Sequence, residues 1–376
     1  MKEVVRFLTI LLLYCAIPYK IHAQYSNIPM HKIDLIFAGD AMQHETQIKM
    51  AKGKDGKYSY SSYYRHISAE IKKADIAVIN LETPIGTDNF SGYPSFCAPD
   101  SFLYAISDAG FNVMLLANNH IIDRGKNGAL YTINLIDSIG KSYCGVYRNK
   151  EERDSLHPLI IEKEGVKTAL LNYTYSTNGR AIPAPLVVNL IDKDVISKDI
   201  EKAKKLKADV IIACMHWGDE YLNTPPKRIK EMADWLLEQG VDHIIGHHPH
   251  VIQPVEIRKD TISADKHTVA YSLGNVVSNM HRRYADGGIM LRMRLRRILN
   301  CTRLASLQYL LTWIAPLNSN GTRDYTILPA ATTEFKDNAH ATFRLKQFLE
   351  DTRTLFRNHN RGNVKEFFLD SVRITR

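Results

Sequence analysis

The chain has 376 residues, 45% of them hydrophobic and 24% charged, and a formal net charge of +9. This composition excludes a disordered or fibrous protein, and the length is sufficient for one large hydrophobic core. The basic balance favours anionic partners, such as a polyanionic polymer or a membrane surface, without specifying one. The basic strand over 292–297 is typical of an exposed sheet surface, so we expect no nucleic-acid partner.

The first 23 residues are predicted to be a secretory signal peptide. Lys2 and Arg6 precede an apolar run over 7–18, and Ala23 offers a small residue for cleavage. A membrane anchor, the alternative, needs about 20 apolar residues, and this run is shorter. We therefore expect export to the periplasm or cell envelope. Since the segment carries three basic residues and one acidic residue, its removal would lower the net charge to +7.

The rest of the chain alternates predicted strands and helices. Strands are predicted at 32–38, 75–80, 111–117, 159–162, 167–173, 209–214 and 242–245, and helices at 62–73, 100–109, 125–139, 195–207 and 226–239. Strands then follow one another at 251–257, 268–273, 288–296 and 303–313, before a helix near 339–357. Parallel βα units followed by an antiparallel part predict an α/β fold with a second sheet layered on it. We expect one domain over 32–330 and a C-terminal helical extension over 331–376.

Polar side chains stand at the ends of five predicted strands. These ends carry Asp40, Glu82, Asn119 with His120, His216, and the pair His248 and His250. Taken alone, each is equally typical of a helix cap, a turn or a core histidine, as we expect for His243. Because strand ends lie side by side along one edge of such a sheet, we expect the five to converge. Mixed aspartate, asparagine and histidine ligands suit zinc, manganese or iron, so the sequence predicts a metal site.

Six ordered motifs over about residues 32–290 resemble one known family. They are Gly39-Asp40-Ala41-Met42, Asn80-Leu81-Glu82, Ala117 to Gly125, His216 to Tyr221, Gly246 to Val251 and Tyr271 to Asn275. Together they resemble the CapA family of capsule or poly-γ-glutamate synthesis proteins, whose fold is similar to that of calcineurin-like metallophosphoesterases. The resemblance implies a metallophosphatase-like layered β-sandwich flanked by helices.

The resemblance also implies roles for individual residues. One or two divalent ions, of manganese, zinc or iron, would be held by Asp40, Glu82, Asn119, His216, His248 and His250. His120 would donate the proton or bind a substrate oxygen. Hydrogen bonding to the metal ligands, or contact with the substrate, is implied for Asp123, Glu220, His247 and Asn275. Met42 replaces an imidazole ligand, and His44 is either its substitute or a helix-surface histidine.

Three functions fit these observations. The first is metal-dependent hydrolysis of an anionic envelope polymer, such as poly-γ-glutamate or a capsule precursor, alongside other membrane proteins of capsule synthesis. The second is a non-catalytic subunit that handles or exports the polymer. The third keeps the metal and changes the chemistry, to amide or peptide hydrolysis or epimerisation at a glutamyl bond.

Overall fold

The computed structural model describes residues 30–260, 265–299, 301–314, 325–336 and 338–374. The predicted signal peptide, residues 1–23, lies outside the described residues. Within the described ranges, no helix combines the length and apolar character needed to cross a membrane.

Nineteen strands are assigned in the described ranges. They are β1 (Met30–Ala41), β2 (Ile76–Leu81), β3 (Val113–Leu115), β4 (Ser142–Cys144), β5 (Val146–Tyr147), β6 (Leu159–Lys163), β7 (Val166–Thr174), β8 (Val187–Val188), β9 (Val210–His216), β10 (His243–His247), β11 (Val255–Lys259), β12 (Lys266–Ala270), β13 (Asn275–Val277), β14 (Gly287–Ile298), β15 (Cys301–Ile314), β16 (Ile327–Pro329), β17 (Thr333–Phe335), β18 (Lys365–Glu366) and β19 (Val372–Ile374).

Eight α-helices and one 3-10 turn, Ala330–Thr332, are assigned in the same ranges. The helices are α1 (Glu45–Ala51), α2 (Ser68–Ile71), α3 (Asp100–Ala109), α4 (Gly125–Ser138), α5 (Lys150–Leu156), α6 (Lys193–Lys205), α7 (Lys227–Gln239) and α8 (Ala339–His359).

Two sheets form the centre of the fold. The first has the order β16-β15-β14-β1-β2-β3-β4, with β13 pairing β1 and β18 pairing β15. In it, β1 to β4 are parallel, while β14, β15 and β16 extend the sheet in antiparallel fashion. The second has the order β11-β12-β10-β9-β7-β6, parallel in its middle and antiparallel at both edges.

Alternating side chains of β1 explain how the two sheets pack. Ile33, Leu35 and Phe37 share a buried cluster with residues of the second sheet such as Ile212 and Ile245, so this cluster lies between the sheets. The intervening residues of β1 pack instead with α3 and α4. A third cluster joins the second sheet to α6 and α7. The result is two stacked sheets flanked by helices, and the predicted α/β fold class is confirmed.

The assignment of strands to sheets differs from the one predicted from the sequence. The antiparallel strands after residue 286 join the first sheet instead of forming the second one. The second sheet is built from β7, β9, β10 and β12, which are parallel to one another. The five polar strand ends are therefore divided between two sheets. The domain boundary predicted at residue 330 stays a prediction.

The helix predicted over 62–73 is wrong for most of its length. Only Ser68–Ile71 is α-helical. Before it, the backbone N–H of Tyr63 donates to Tyr60 O and that of Ile67 to Tyr64 O, which are three-residue turns. The three tyrosines are buried, and Tyr60 packs edge-on against Tyr63 at 5.3 Å. Aromatic packing thus replaces the regular helix that the apolar spacing predicted.

The strand predicted over 251–257 begins late, at Val255. His248 and His250 have positive φ values of 97° and 58°, which are incompatible with a strand. Pro249 and Pro254 also lack the N–H that a sheet ladder requires. The residues between β10 and β11 therefore form a loop.

A buried polar network ties α5, α6 and β7 together. The Asp199 carboxylate accepts hydrogen bonds from Arg153 Nη2 (2.6 Å) and Tyr173 Oη (2.8 Å), and His157 Nε2 lies 3.3 Å away. Burial alone would raise the pKa of Asp199, but His157 and Arg153 lower it to about 2. This carboxylate is therefore more stable as an anion in the folded protein than in the unfolded chain.

Acid should weaken the fold through Asp199. A carboxyl whose pKa falls from 3.8 to about 2 on folding stabilises the fold above pH 4, and this contribution disappears as the pH falls toward 2. The difference in free energy of unfolding between the wild type and Asp199→Asn should shrink by about 1 kcal/mol between pH 5 and pH 3. Urea denaturation measures it. Asp194→Asn, an exposed change on the same helix, should show no such dependence.

Candidate metal centre

The predicted site residues converge where the carboxyl-terminal ends of the parallel strands of the two sheets meet. Asp40 lies near the end of β1 and Glu82 directly follows β2 in the first sheet, whereas His216 ends β9 and His248 directly follows β10 in the second. The sequence argument placed all five strand ends on one sheet edge, and this part of it is wrong. The stacking of the sheets brings the two edges together, so the expected convergence of the side chains occurs.

Close backbone approaches at two glycines position this region. A Cβ atom on Gly39 would lie 1.9 Å from Gly274 O, and one on Gly246 would lie 1.9 Å from Tyr271 O. The N–H of Asp40 donates to the same Gly274 carbonyl at 3.0 Å. Only glycine permits such contacts. The left-handed backbone of His248 and His250 adds local strain, which proteins retain mainly at functional sites.

Asp40 is the anionic hub of the site. Its Oδ1 lies 3.3 Å from His247 Nδ1 and accepts a hydrogen bond from Asn80 Nδ2 at 2.7 Å. Its Oδ2 lies 3.3 Å from His250 Nδ1 and accepts from the N–H of His248 at 3.2 Å. Burial opposes ionisation, but His247 and His250 hold the pKa of Asp40 well below its usual range. Asp40 is thus an anion at neutral pH.

Glu82 is a buried carboxylate with one unpaired oxygen. Oε2 accepts from Asn80 Nδ2 at 3.2 Å, while Oε1 has no hydrogen-bond partner among the residues that the structure describes. Oε1 lies 3.6 Å from His216 Nε2 and 3.8 Å from His250 Nε2. Burial and the charge of Asp40 raise the pKa of Glu82 well above its usual range. An unpaired, buried carboxylate oxygen is costly, and a bound cation would remove that cost.

Two imidazoles face this carboxylate from the second sheet. His216 Nε2 lies 2.9 Å from Asn119 Oδ1, and the rings of His216 and His248 are 4.8 Å apart. Burial, followed by the nearby histidines, lowers the pKa of His216 well below its usual range. Burial and the charge of His250 lower the pKa of His248 to about 3. Both rings are therefore neutral at pH 7, the form that binds metal.

Three overlapping groups have ligand atoms within 4.8 Å of one another. They are Glu82, His216 and His248; Asp40, Glu82 and His250; and Glu220, His248 and His250. Glu82 belongs to two of the groups, so its carboxylate lies near His216 and His248 on one side and near Asp40 and His250 on the other. The residues of the first two groups are buried, while Glu220 is exposed at the rim. Imidazole nitrogens with carboxylate oxygens fit zinc, manganese or iron, and the unpaired Glu82 Oε1 supports such a cation.

His120 lies beside these groups and belongs to none of them. Its Nδ1 is 2.8 Å from Asp123 Oδ2, which also accepts the N–H of Phe96 at 2.9 Å. Arg180 Nε approaches the other oxygen of Asp123 at 3.4 Å. The ring of Phe96 packs edge-on against His120 at 4.6 Å. Asp123 therefore orients His120 from the border of the site.

Two further predicted residues contact the cluster from its border. Asn275 Oδ1 lies 3.1 Å from His250 Nδ1, and Asn275 Nδ2 donates to Ala285 O at 2.9 Å. Asn275 thereby fixes the orientation of the His250 ring. His247 is buried against Asp40 and lies outside the three groups.

Met42 and His44 follow Asp40 closely in the chain. Met42 is buried, and His44 stands half-buried at the start of α1. His44 Nδ1 accepts the N–H of Asn279 at 3.2 Å, and His44 lies outside the three groups. Burial lowers the pKa of His44 to about 4. His44 therefore packs as a structural residue at the border of a helix.

The sequence analysis gave no role to Asn80, which lies at the centre of the site. Its Nδ2 is within 3.4 Å of Asp40, Glu82 and His216, and its Oδ1 accepts from Asn118 at 3.3 Å. The sequence did carry a signal for Asn80, which is its spacing from Glu82. Residues two apart in an extended strand point to the same face, so Asn80 is expected beside Glu82. Tyr175, whose ring centre is 4.5 Å from that of His248, had no comparable signal.

Fold and site together define a layered α/β protein with a buried histidine and carboxylate centre. The family model described as "Bacterial capsule synthesis protein PGA_cap" matches residues 34–280. The chain therefore belongs to this family of bacterial capsule synthesis proteins, and the resemblance stated from the sequence motifs is confirmed.

Individual relatives agree with this assignment. The chain is 32% identical over 263 residues to the capsule biosynthesis protein CapA of Bacillus anthracis, covering 65% of this chain and 60% of the relative. It is 28% identical over 262 residues to the PGA biosynthesis protein CapA of Bacillus subtilis, covering 64% and 62%. The match thus spans about six tenths of each relative's length.

Among solved structures, the chain is similar to the calcineurin-like phosphoesterase YfkN of Bacillus subtilis. The TM-score is 0.46 at 14% identity, with 88% of this chain and 100% of that chain covered.

Proposed function

We propose that this protein is an exported, metal-dependent hydrolase of capsule or poly-γ-glutamate biosynthesis. The observation that carries the proposal is the buried Glu82 carboxylate, whose unpaired Oε1 lies 3.6 Å from His216 Nε2 and 3.8 Å from His250 Nε2. The ligands would be Asp40, Glu82, Asn119, His216, His248 and His250. A bound cation would remove the cost of burying the unpaired oxygen, and the donor types suit a divalent ion.

The proposed substrate is an anionic polymer of the cell envelope or its precursor. Membership of the capsule synthesis family supports this class of substrate. The formal charge of +7 that remains without residues 1–23 also favours a polyanion. Export through the N-terminal apolar segment would place the protein where such polymers are assembled, next to other membrane proteins of capsule synthesis.

The chain's own residues would position the reacting groups and move a proton. A metal ion bound here would activate a water molecule or polarise a carbonyl or phosphoryl oxygen. The Asp123 carboxylate would accept the Nδ1–H of His120, and the imidazolium form of His120 would deliver its Nε2 proton to the leaving group and become neutral. Asn80 and Asn275 hold Asp40 and His250 in place through hydrogen bonds.

Two substrates distinguish phosphoryl transfer from cleavage of glutamyl amides. The purified protein with added Mn²⁺, Zn²⁺ or Fe²⁺ should cleave a chromogenic phosphodiester if its chemistry is phosphoryl transfer, and should shorten poly-γ-glutamate if it acts on glutamyl amides. Product length on gels and release of the chromophore measure the two. Absence of both activities with every metal would contradict the proposed hydrolase.

A non-catalytic polymer-handling role is the second candidate. The observation that favours it is Met42, which is buried at the place where the resemblance implies an imidazole. With one ligand fewer, the site holds a single ion more readily than two. Polymer binding without cleavage, in protein that contains its metal, would support this role instead of hydrolysis.

A further inference from the structure

A basic groove lies at the end of the molecule opposite the candidate metal centre. Strand β14 begins at Gly287, beside the loop that holds Asn275, and ends at Ile298. Nine residues of strand separate Gly287 from Arg296, which corresponds to roughly 30 Å. The groove lies at this far end, between the β11–β12 hairpin and the β14–β15 hairpin.

Two adjoining cavities form the groove. One, of about 530 Å³, is lined by Lys259, Lys266 and Lys365 over an apolar floor that includes Leu304. The other, of about 420 Å³, is lined by Arg296 and Arg303. Leu304 and Ala305 of β15 line both cavities, so the two lie next to each other at this strand.

The register of the strands places like charges directly opposite each other in this groove. Lys259 pairs with Lys266 across β11 and β12, and Arg296 pairs with Arg303 across β14 and β15. Like charges at opposed positions destabilise a sheet. Arg303 has a carboxylate partner, Asp265 Oδ1 at 2.8 Å. Among the described residues, Lys259, Lys266 and Arg296 have no ion-pair partner, although Asp260 and Asp265 adjoin the two lysines in the chain.

We propose that this groove binds a carboxylate-bearing polymer chain, as a second site separate from the metal centre. The ligand class rests on the proposed function, while the site itself rests on the opposed cation pairs. A concave cavity lined by three lysines over an apolar floor fits a single extended chain better than a flat membrane surface. A polymer longer than roughly 30 Å would contact both sites, which strengthens its binding over that of short chains.

The test measures binding by the full chain with its metal removed by a chelator. The probe is fluorescein-labelled poly-γ-glutamate, followed by anisotropy at low salt. The triple variant Lys259→Glu, Lys266→Glu and Lys365→Glu should bind at least tenfold more weakly than the wild type. The control variant Lys198→Glu, Lys205→Glu and Lys230→Glu, on α6 and α7, has the same change in charge and should bind within twofold of the wild type. Equal weakening in both variants, or none in the first, would overturn the proposal.

A single substitution distinguishes a loss of polymer binding from a loss of folding. Lys266→Glu replaces a repulsive pair with an attractive one, so its melting temperature should equal or exceed that of the wild type while polymer binding weakens. Full polymer binding by this variant overturns the proposal. Loss of binding to phosphatidylglycerol vesicles by the triple variant, with unchanged polymer binding, also overturns it and assigns the groove to a membrane surface. Because binding is measured without metal, failure of the proposed hydrolysis leaves this result unaffected.

Discussion

Replacing His120 by alanine should abolish turnover while the protein keeps its metal. His120 lies outside the three groups of candidate ligands, and Asp123 holds its Nδ1 at 2.8 Å. A positioned general acid contributes about 10²–10⁴-fold to rate. We therefore expect a loss of that size in kcat on whichever substrate the wild type cleaves, with the metal content per chain unchanged.

The matched control for this substitution is His267→Ala. His267 is a half-buried histidine on β12, where its Nδ1 lies 3.1 Å from Asp242 O, away from the site. This control should retain both activity and metal. Wild-type turnover in His120→Ala would contradict the proton-donor role, and a parallel loss of metal would make His120 a ligand instead.

Asp40→Asn should remove the metal. The substitution is nearly isosteric but deletes the negative charge that contacts His247 and His250 at 3.3 Å. It also exchanges an oxygen for an amide nitrogen beside the N–H of His248 and the Nδ2 of Asn80, so at least one donor faces another donor. We expect metal affinity to fall at least 100-fold, since loss of a group that only orients a ligand already costs about 10–100-fold. Competition with a chromogenic chelator measures it.

Asp34→Asn is the control in the same strand. Asp34 lies six positions earlier in β1 and pairs with Arg294 in a surface ion pair. Its substitution should leave metal affinity unchanged and cost at most about 1 kcal/mol of stability. Equal metal affinity in Asp40→Asn and Asp34→Asn would remove Asp40 from the centre.

The sequence predicted most of the secondary structure. The hairpin of β6 and β7, the helices α3 and α4 and the strands that end at the site all follow from apolar periodicity and turn residues, which are local signals. The roles assigned to Asp40, Glu82, Asn119, His216, His248 and His250 stay predictions. What the structure adds is their proximity.

What the sequence could not predict depends on packing between distant segments. Periodicity identifies strands but gives no sheet order, so the division of the five strand ends between two sheets was not visible. The central position of Asn80 arises from contacts with residues 40 and 136 positions away. The turns before α2 are set by buried tyrosines, whose partners lie on other elements. In each case contacts between distant segments determined the structure, and the local sequence preference did not.

Elemental analysis of the purified protein tests the metal centre most directly. The wild type should contain at least one equivalent of manganese, zinc or iron per chain, and Asn119→Ala should contain less, because the amide oxygen 2.9 Å from His216 Nε2 is lost. A wild-type protein that binds none of these metals, even after incubation with each of them, would contradict the centre.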